Sequence, residues 1–330
     1  MSSDVILSII TAALSIATFQ ATVRLATPIT LAALCGIWSE RSGVVNIGIE
    51  GIMLSAACTG FLGTIYANQA LGSKSVSLFV GLVAALATGL LLALLLGVLA
   101  VRFKTDQIIA GTVINILAVG ATGYIYRRYL ATDAPVAPGV LSPITDWPLI
   151  GPVFSALSHI PIIGPLLFTL QPIALSMLIL VALTHYILFY TPWGLRTRSV
   201  GENPRAADTL GINVFRMRYT DVLIGGAIAG LAGAWYTLEQ VGVFTPNMTA
   251  GRGFIGLAAM IFGKWNPVGA FLAALLFAFA EAIQPILQTQ APQVPYQFFA
   301  MIPYLLTIIV LAGLVGRATP PAADGKPYEA

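Results

Sequence analysis

The chain has 330 residues, of which 58% are hydrophobic and only 9% charged, with a mean hydropathy of +0.89. Soluble domains carry about 25% charged residues, so a water-soluble globule is excluded, whereas bilayer-spanning helices of about 20 apolar residues each account for the deficit. The net charge of +3 comes from Lys and Arg gathered between apolar runs, a pattern that sets membrane orientation and points away from nucleic acid as a partner.

The expected fold class is an all-α polytopic membrane protein, with one transmembrane domain over 1–330. In chain order, apolar runs bounded by charge or by Pro and Gly occur at 5–23, 25–38, 47–68, 76–101, 108–126, 172–190, 221–244, 254–263, 268–288 and 298–316. Asp4 and the lack of a basic leader give the first run the character of a retained span, not a cleaved signal. Only Arg24 separates it from the second run. Ten spans are therefore expected, or nine if those two runs form one broken segment. Cys35 and Cys58 lie in apolar runs and read as small packing residues. His159 and His185 lack ligand-spaced neighbours, so no metal is expected. The Pro- and Gly-rich 127–171 segment is still apolar, and reads as an external loop that lies along the membrane surface or packs on the bundle. The 254–263 run is too short to cross a core of about 30 Å, so it is a half-helix or borrows its neighbours. Gly225, Gly226, Gly230 and Gly233 let helix backbones approach closely in lipid. Tight packing within the bundle is their plainest use, and the GxxxG pair Gly226 and Gly230 also permits a dimer contact.

Between the sixth and seventh runs, Thr191–Arg218 holds seven of the 29 charged residues: Arg196, Arg198, Glu202, Arg205, Asp208, Arg216 and Arg218. Asn203 suits an N-cap and Pro204 the first helical position. Arg205 to Leu210 then make roughly two turns, and Gly211 fits the stop. Ala206, Ala207 and Leu210 give this helix one apolar face, while Arg205 and Asp208 stay polar. On mechanics alone it is either an ordinary solvated loop or a rigid knob that a soluble motor can push. With the 191–219 loop in the cytosol, eleven of the sixteen Lys and Arg fall inside: Arg41, Arg102, Lys104, the five loop arginines, Lys264, Arg317 and Lys326. Arg24, Lys74, Arg127, Arg128 and Arg252 fall outside, in keeping with the positive-inside bias. Both termini, including the short 317–330 tail, are then cytoplasmic.

Three blocks resemble a known family. Gly201-Glu-Asn-Pro-Arg-Ala-Ala-Asp-Thr-Leu-Gly-Ile212 is similar to the G-x-N-P-x-A-A-x-x-x-G-I signature of permeases in the branched-chain amino acid and simple-sugar class of ABC importers. Arg24-Leu-Ala-Thr-Pro-Ile-Thr with Ser39-Glu-Arg-Ser-Gly-Val-Val-Asn-Ile-Gly-Ile-Glu-Gly resembles the nucleoside branch more than the ribose or leucine branches, and Lys104-Thr-Asp-Gln-Ile-Ile-Ala-Gly-Thr-Val-Ile-Asn115 is a third block similar to the family. The resemblance, over about residues 20–316, implies a type II-like importer subunit that forms half of a translocation pore. It also implies a coupling role for Gly201, Glu202, Asn203, Pro204, Arg205, Ala206, Ala207, Asp208 and Gly211. The implied partners are an ABC ATPase with two fused ATP-binding domains, a second, paralogous permease, an extracytoplasmic binding protein or lipoprotein, and the lipid of a prokaryotic inner membrane. No Walker motif occurs in the chain, so ATP would be bound and hydrolysed by the partner, and neither catalysis nor a cofactor is expected here.

Ionisable residues inside spans are costly and face a bundle interior or a cavity. Asn46, Glu50, Asn115, Glu239 and Gln240 are therefore candidates for a pore or substrate path, with Glu281 a further intramembrane carboxylate. Asn46 and Glu50 are spaced to share one helical face. The residues leave Glu50 either as a cap or Arg41 partner or as pore lining, and Asn115 as an interhelical hydrogen bond or a substrate contact. Within the ABC class, a sugar or branched-chain amino acid permease is the alternative to a nucleoside permease. From another class, an ion- or proton-coupled secondary transporter would use midplane carboxylates such as Glu50 and Glu281, but it leaves the capped loop without a purpose. A membrane-embedded enzyme is weakest, because no catalytic cluster appears.

Overall fold

The computed structural model describes residues 11, 15–132, 135–148, 150–161, 164–290, 295–302, 305 and 318–329, and no strand occurs among them. Helix α1 (Ile16–Arg41) opens at Ser15, whose side chain accepts from the Thr18 N–H. Arg24 lies on its exposed side, so the charge does not break the helix, and the two runs predicted on either side of it join here. The rest of the first run, at 5–10 and 12–14, lies outside the described residues. Helix α2 (Ile49–Leu71) follows a non-helical link at 42–48 and ends at Gly72 in the left-handed region. Helices α3 (Lys74–Gly97) and α4 (Gln107–Ile125) each finish in a widened π turn, Val98–Arg102 and Tyr126–Leu130. The side chain of Asp106 caps α4 by accepting from the N–H groups of Ile108 and Ile109.

Beyond the short α5 (Gly151–Ser158), the chain forms α6 (Pro172–Tyr190), α7 (Pro192–Glu202) and α8 (Pro204–Thr209). Then come α9 (Val214–Ala234, with a π turn at Trp235–Gln240), α10 (Arg252–Phe262), α11 (Pro267–Gln290) and α12 (Tyr296–Ala300). Seven helical stretches among the described residues are long and apolar enough to cross a bilayer. They are α1, α2, α6, α11, and α3, α4 and α9 with their π turns. Helix α10 has 11 residues and so reaches about 16 Å, half of the core. It is the half-helix that the 254–263 run left open. Most of the 298–316 run lies outside the described residues.

Burial sorts these helices into two layers. The most apolar windows of α1, α2 and α9 are 78%, 72% and 78% buried, against 28–33% for α3, α4, α6 and α11. The first three form the centre, and the others pack round it with one face left for lipid or another chain. Because lipid supplies no hydrophobic drive between helices, close backbone contact has to hold them. The GxxxG pair is used in this way within the chain: a Cβ on Gly230 would lie 2.7 Å from the Ala85 carbonyl oxygen of α3. Gly226 packs on Gly89 and Ala93 of the same helix. The dimer contact that this spacing also permits is therefore replaced by an internal one. Residues 137–141 pack on the far end of α9, where Leu141 N–H donates to the Leu238 carbonyl at 2.8 Å and Ala137 N–H to that of Gly242 at 3.0 Å.

A branched side chain at the α3–α9 contact would force the two backbones apart, and overpacking costs about 1–3 kcal/mol or more. Gly230→Val should lower the thermal midpoint of the detergent-solubilised protein by several degrees. Gly123→Val, in open space, should leave it unchanged.

Candidate functional site

The polar stretch at 191–218 is two capped helices, not a loop with one. Thr191 caps α7, accepting from the Gly194 N–H, and Pro192 occupies the first turn. At Asn203 the chain turns sharply: its side-chain oxygen accepts from Ala206 N–H at 3.1 Å and starts α8 with Pro204 in place. Gly211, at φ +77°, closes α8, its N–H donating to the Asp208 carbonyl at 2.8 Å. Asn213 then caps α9 through the Arg216 N–H at 2.9 Å. Gly201 lies directly against the Arg41 carbonyl at the end of α1, where any Cβ would collide.

The expected apolar face of α8 divides. Ala207 is buried against Val200, Val214, Met217 and Tyr328 of the same chain, while Ala206 is exposed and Leu210 is 80% exposed. A six-residue helix lying on its own protein turns only one residue per turn inward, which leaves Arg205, Ala206, Asp208 and Leu210 outward. Behind α8, Asp221 of α9 is fully buried and accepts from the Trp193 indole N–H of α7 at 3.1 Å. Arg218, read from sequence as one of the solvated arginines, is 1% exposed and donates to the Ser42 carbonyl at 3.2 Å and the Lys326 carbonyl at 3.0 Å. Its spacing from Val214, Asp221 and Gly225 on the buried face of α9 is the signal that could have placed it.

The candidate path residues stand elsewhere, and most of their polar atoms are already engaged. Glu50 does not meet Arg41. One carboxylate oxygen accepts from Thr249 Oγ1 at 2.6 Å and Gly251 N–H at 2.8 Å, and the other from Gly253 N–H at 2.7 Å. It thereby holds the turn into α10, where Asn247 and Ala250 sit in the left-handed region at φ 57° and 48°. Arg41 instead donates to the Trp265 carbonyl at 3.1 Å. Asn115 of α4 bridges to the start of α2, donating to the Ile47 carbonyl at 2.9 Å and accepting from Gly51 N–H at 2.7 Å. The interhelical bond, one of its two readings, is thus present.

Asn46 is not on a helical face with Glu50, because it lies in the non-helical link before α2. The link forms because residues 42–48 turn back beneath α1, and Asn46 donates weakly to Ser39 Oγ at 3.5 Å. Glu239 is 1% exposed and caps α6 by accepting from Ile173 N–H at 2.6 Å and Ala174 N–H at 3.1 Å. Gln240 beside it is exposed. Arg252 pairs with Glu281 of α11 at the start of the half-helix. Because α10 does not cross the bundle, that position is about 16 Å from its other end. Cys35 and Cys58 are free and buried, as expected of packing residues.

Residues 18–311 match the family described as the branched-chain amino acid transport system permease component. The chain belongs to that permease family. Among its relatives, the guanosine ABC transporter permease protein NupQ of Bacillus subtilis is 41% identical over 313 residues, covering 93% of this chain and 95% of that protein. The nucleoside ABC transporter permease protein NupC of Lactococcus lactis is 40% identical over 92% of this chain and 93% of that one. A second guanosine permease of B. subtilis, NupP, is 29% identical over 77% of this chain and 70% of its own length. The permease is thus a multi-pass membrane protein of an ABC transport family, and its relatives are transport subunits.

The Glu50 geometry has a direct test. In Glu50→Gln an amide N–H₂ would replace one acceptor and face donors that it cannot satisfy, and each unpaired buried group costs about 1–3 kcal/mol. The variant should melt several degrees below wild type in detergent, whereas Gln240→Ala should melt with it.

Proposed function

We propose that this permease is one of the two membrane subunits of an ATP-driven importer for nucleosides, and that an ATPase seats on α7 and α8. The reading is carried by near-full-length likeness to two permeases named for guanosine and nucleosides, at 41% and 40% identity. The charge pattern supports a cytosolic position for the 191–219 segment, for both termini and for the 317–330 tail. It correspondingly supports an external position for 127–171. The ATPase would bear two fused ATP-binding domains, and ATP would bind there, leaving this subunit without a cofactor or catalysis of its own. The presence of both NupQ and NupP in B. subtilis supports a pore made of two different permeases. An extracytoplasmic binding protein or lipoprotein would deliver the solute, in the inner membrane of a prokaryote.

In this reading the signature residues divide into two groups. Gly201, Asn203, Pro204, Ala207 and Gly211 build the knob and seat it on α1 and α9. Glu202 ties it to the tail, while Arg205, Ala206, Asp208 and Leu210 face the motor. A nucleoside is neutral, planar and rich in hydrogen-bonding edges, so its path needs no fixed charge. That fits a chain in which Glu50 and Glu239 are engaged with backbone N–H groups and Glu281 with Arg252.

The test is uptake of labelled guanosine into proteoliposomes holding both permeases, the ATPase and the binding protein. Excess unlabelled nucleosides should abolish ATP-dependent uptake, and pentoses, glucose and branched-chain amino acids should leave it intact. ATP-dependent uptake of a sugar or amino acid, with guanosine neither carried nor competing, would contradict the nucleoside reading.

A further inference from the structure

Residues 318–329 do not trail into solvent but run back across the same end of the bundle as α8. Ala323 N–H donates to the Gly201 carbonyl at 2.8 Å, and Ala322 N–H to a Glu202 carboxylate oxygen at 3.3 Å. Arg218 holds the Lys326 carbonyl at 3.0 Å. The Tyr328 ring is 5% exposed, packed with Ala207, and lies 5.4 Å from the Phe215 ring centroid. Asp324 rests between Glu40 and Arg218, and burial pushes its carboxyl above the ordinary carboxylate range. The tail thus touches α1, α7, α8 and α9, and it backs the buried side of α8 through the Ala207–Tyr328 contact.

A groove of about 590 Å³ runs between α8 and this tail, with Asn203 and Arg205 on one wall and Ala322, Lys326, Pro327 and Glu329 on the other. Glu202 lines it too, and counting Lys104, which pairs with Glu329, three cations stand against two carboxylates. Glu329 is paired with Lys104 at 3.4 Å, and Glu202 is engaged by the Ala322 N–H. Lys326 Nζ donates to the Ala322 carbonyl at 2.8 Å and Arg205 is exposed, and among the described residues neither cation has an ion pair. Such a surface selects an acidic partner and steers its approach.

We propose that the C-terminal tail is the second wall of the ATPase seat, and that an acidic segment of the ATPase lies in the groove between Arg205 and Lys326. The proposal rests on the reading that α7 and α8 meet an ATPase, and adds to it a surface outside the signature. The tail then has two tasks: it stiffens α8 from behind and contributes half of the contact.

The test uses the assembled complex of both permeases and the ATPase, with p-benzoyl-phenylalanine placed either at Leu210 or at Lys326, both exposed positions. Irradiation should give an adduct with the ATPase at each position. In addition, Arg205→Glu combined with Lys326→Glu should reduce co-purifying ATPase at least ten-fold, with the permease pair still assembled. An adduct at Leu210 but none at Lys326, or one at Lys326 with the second permease instead, overturns the tail's role and leaves the ATPase reading standing. No adduct with the ATPase at either position, or at Lys326 alone, overturns the ATPase reading for α8 and the shared seat with it. Wild-type recovery of ATPase by the double charge reversal overturns the acidic occupant.

Discussion

A backbone that leaves helical geometry inside a membrane protein must have its N–H and C=O groups satisfied by the protein itself. Two such stretches are 42–48 before α2 and 241–251 before α10. Both breaks are closed by polar side chains reaching in from other elements. Asn115 spans the first from α4, while Gln107 accepts from Val45 N–H at 2.7 Å. Glu50, the second residue of α2, closes the second. The two irregular stretches are therefore one linked structure, and its position depends on α1, α2, α4 and α10 staying together. Glu239 does similar work at the far end of α9, capping α6.

The same economy of polar groups joins these stretches to the end that bears α7 and α8. Helix α9 carries Asp221 and Arg218 at one end and Glu239 at the other. Asp221 binds it to α7, Arg218 binds it to the link after α1 and to the tail, and Glu239 to α6. The α7–α8 end is therefore fixed to a buried helix that lies between α1, α2 and α3. Interiors packed this closely shift as units rather than deform. That suits a subunit moved by chemistry done elsewhere.

The parts of this arrangement that depend on local chemistry were legible in the sequence. Asn203-Pro204 and Gly211 mark the ends of α8 through rules that act within one turn. Apolar run length separates the half-helix α10 from the full spans. What escaped depends on contacts remote in the chain. Glu50 and Thr249 lie 199 residues apart, and nothing near Glu50 distinguishes a backbone acceptor from a pore-lining acid. Asn46 was misplaced because the link at 42–48 keeps the composition of a helix start but not its geometry. The Arg252–Glu281 pair joins residues 29 apart on different helices, which no local rule anticipates. The docking of residues 318–329 left only Tyr328 as a hint, a single aromatic in a polar tail. The burial of Arg218 was readable by periodicity but hidden by its charged neighbours.

The central claim is that the intramembrane carboxylates Glu50 and Glu239 serve as structural acceptors of backbone N–H groups, and that solute movement is driven, as proposed, from the α7–α8 end. The most direct test is intravesicular pH during ATP-driven solute uptake by the reconstituted complex, followed with a trapped dye. The account predicts solute accumulation with no accompanying proton entry and no dependence on an imposed pH gradient. Proton entry in fixed proportion to solute, abolished by Glu50→Gln in a variant that still folds and assembles, would contradict it.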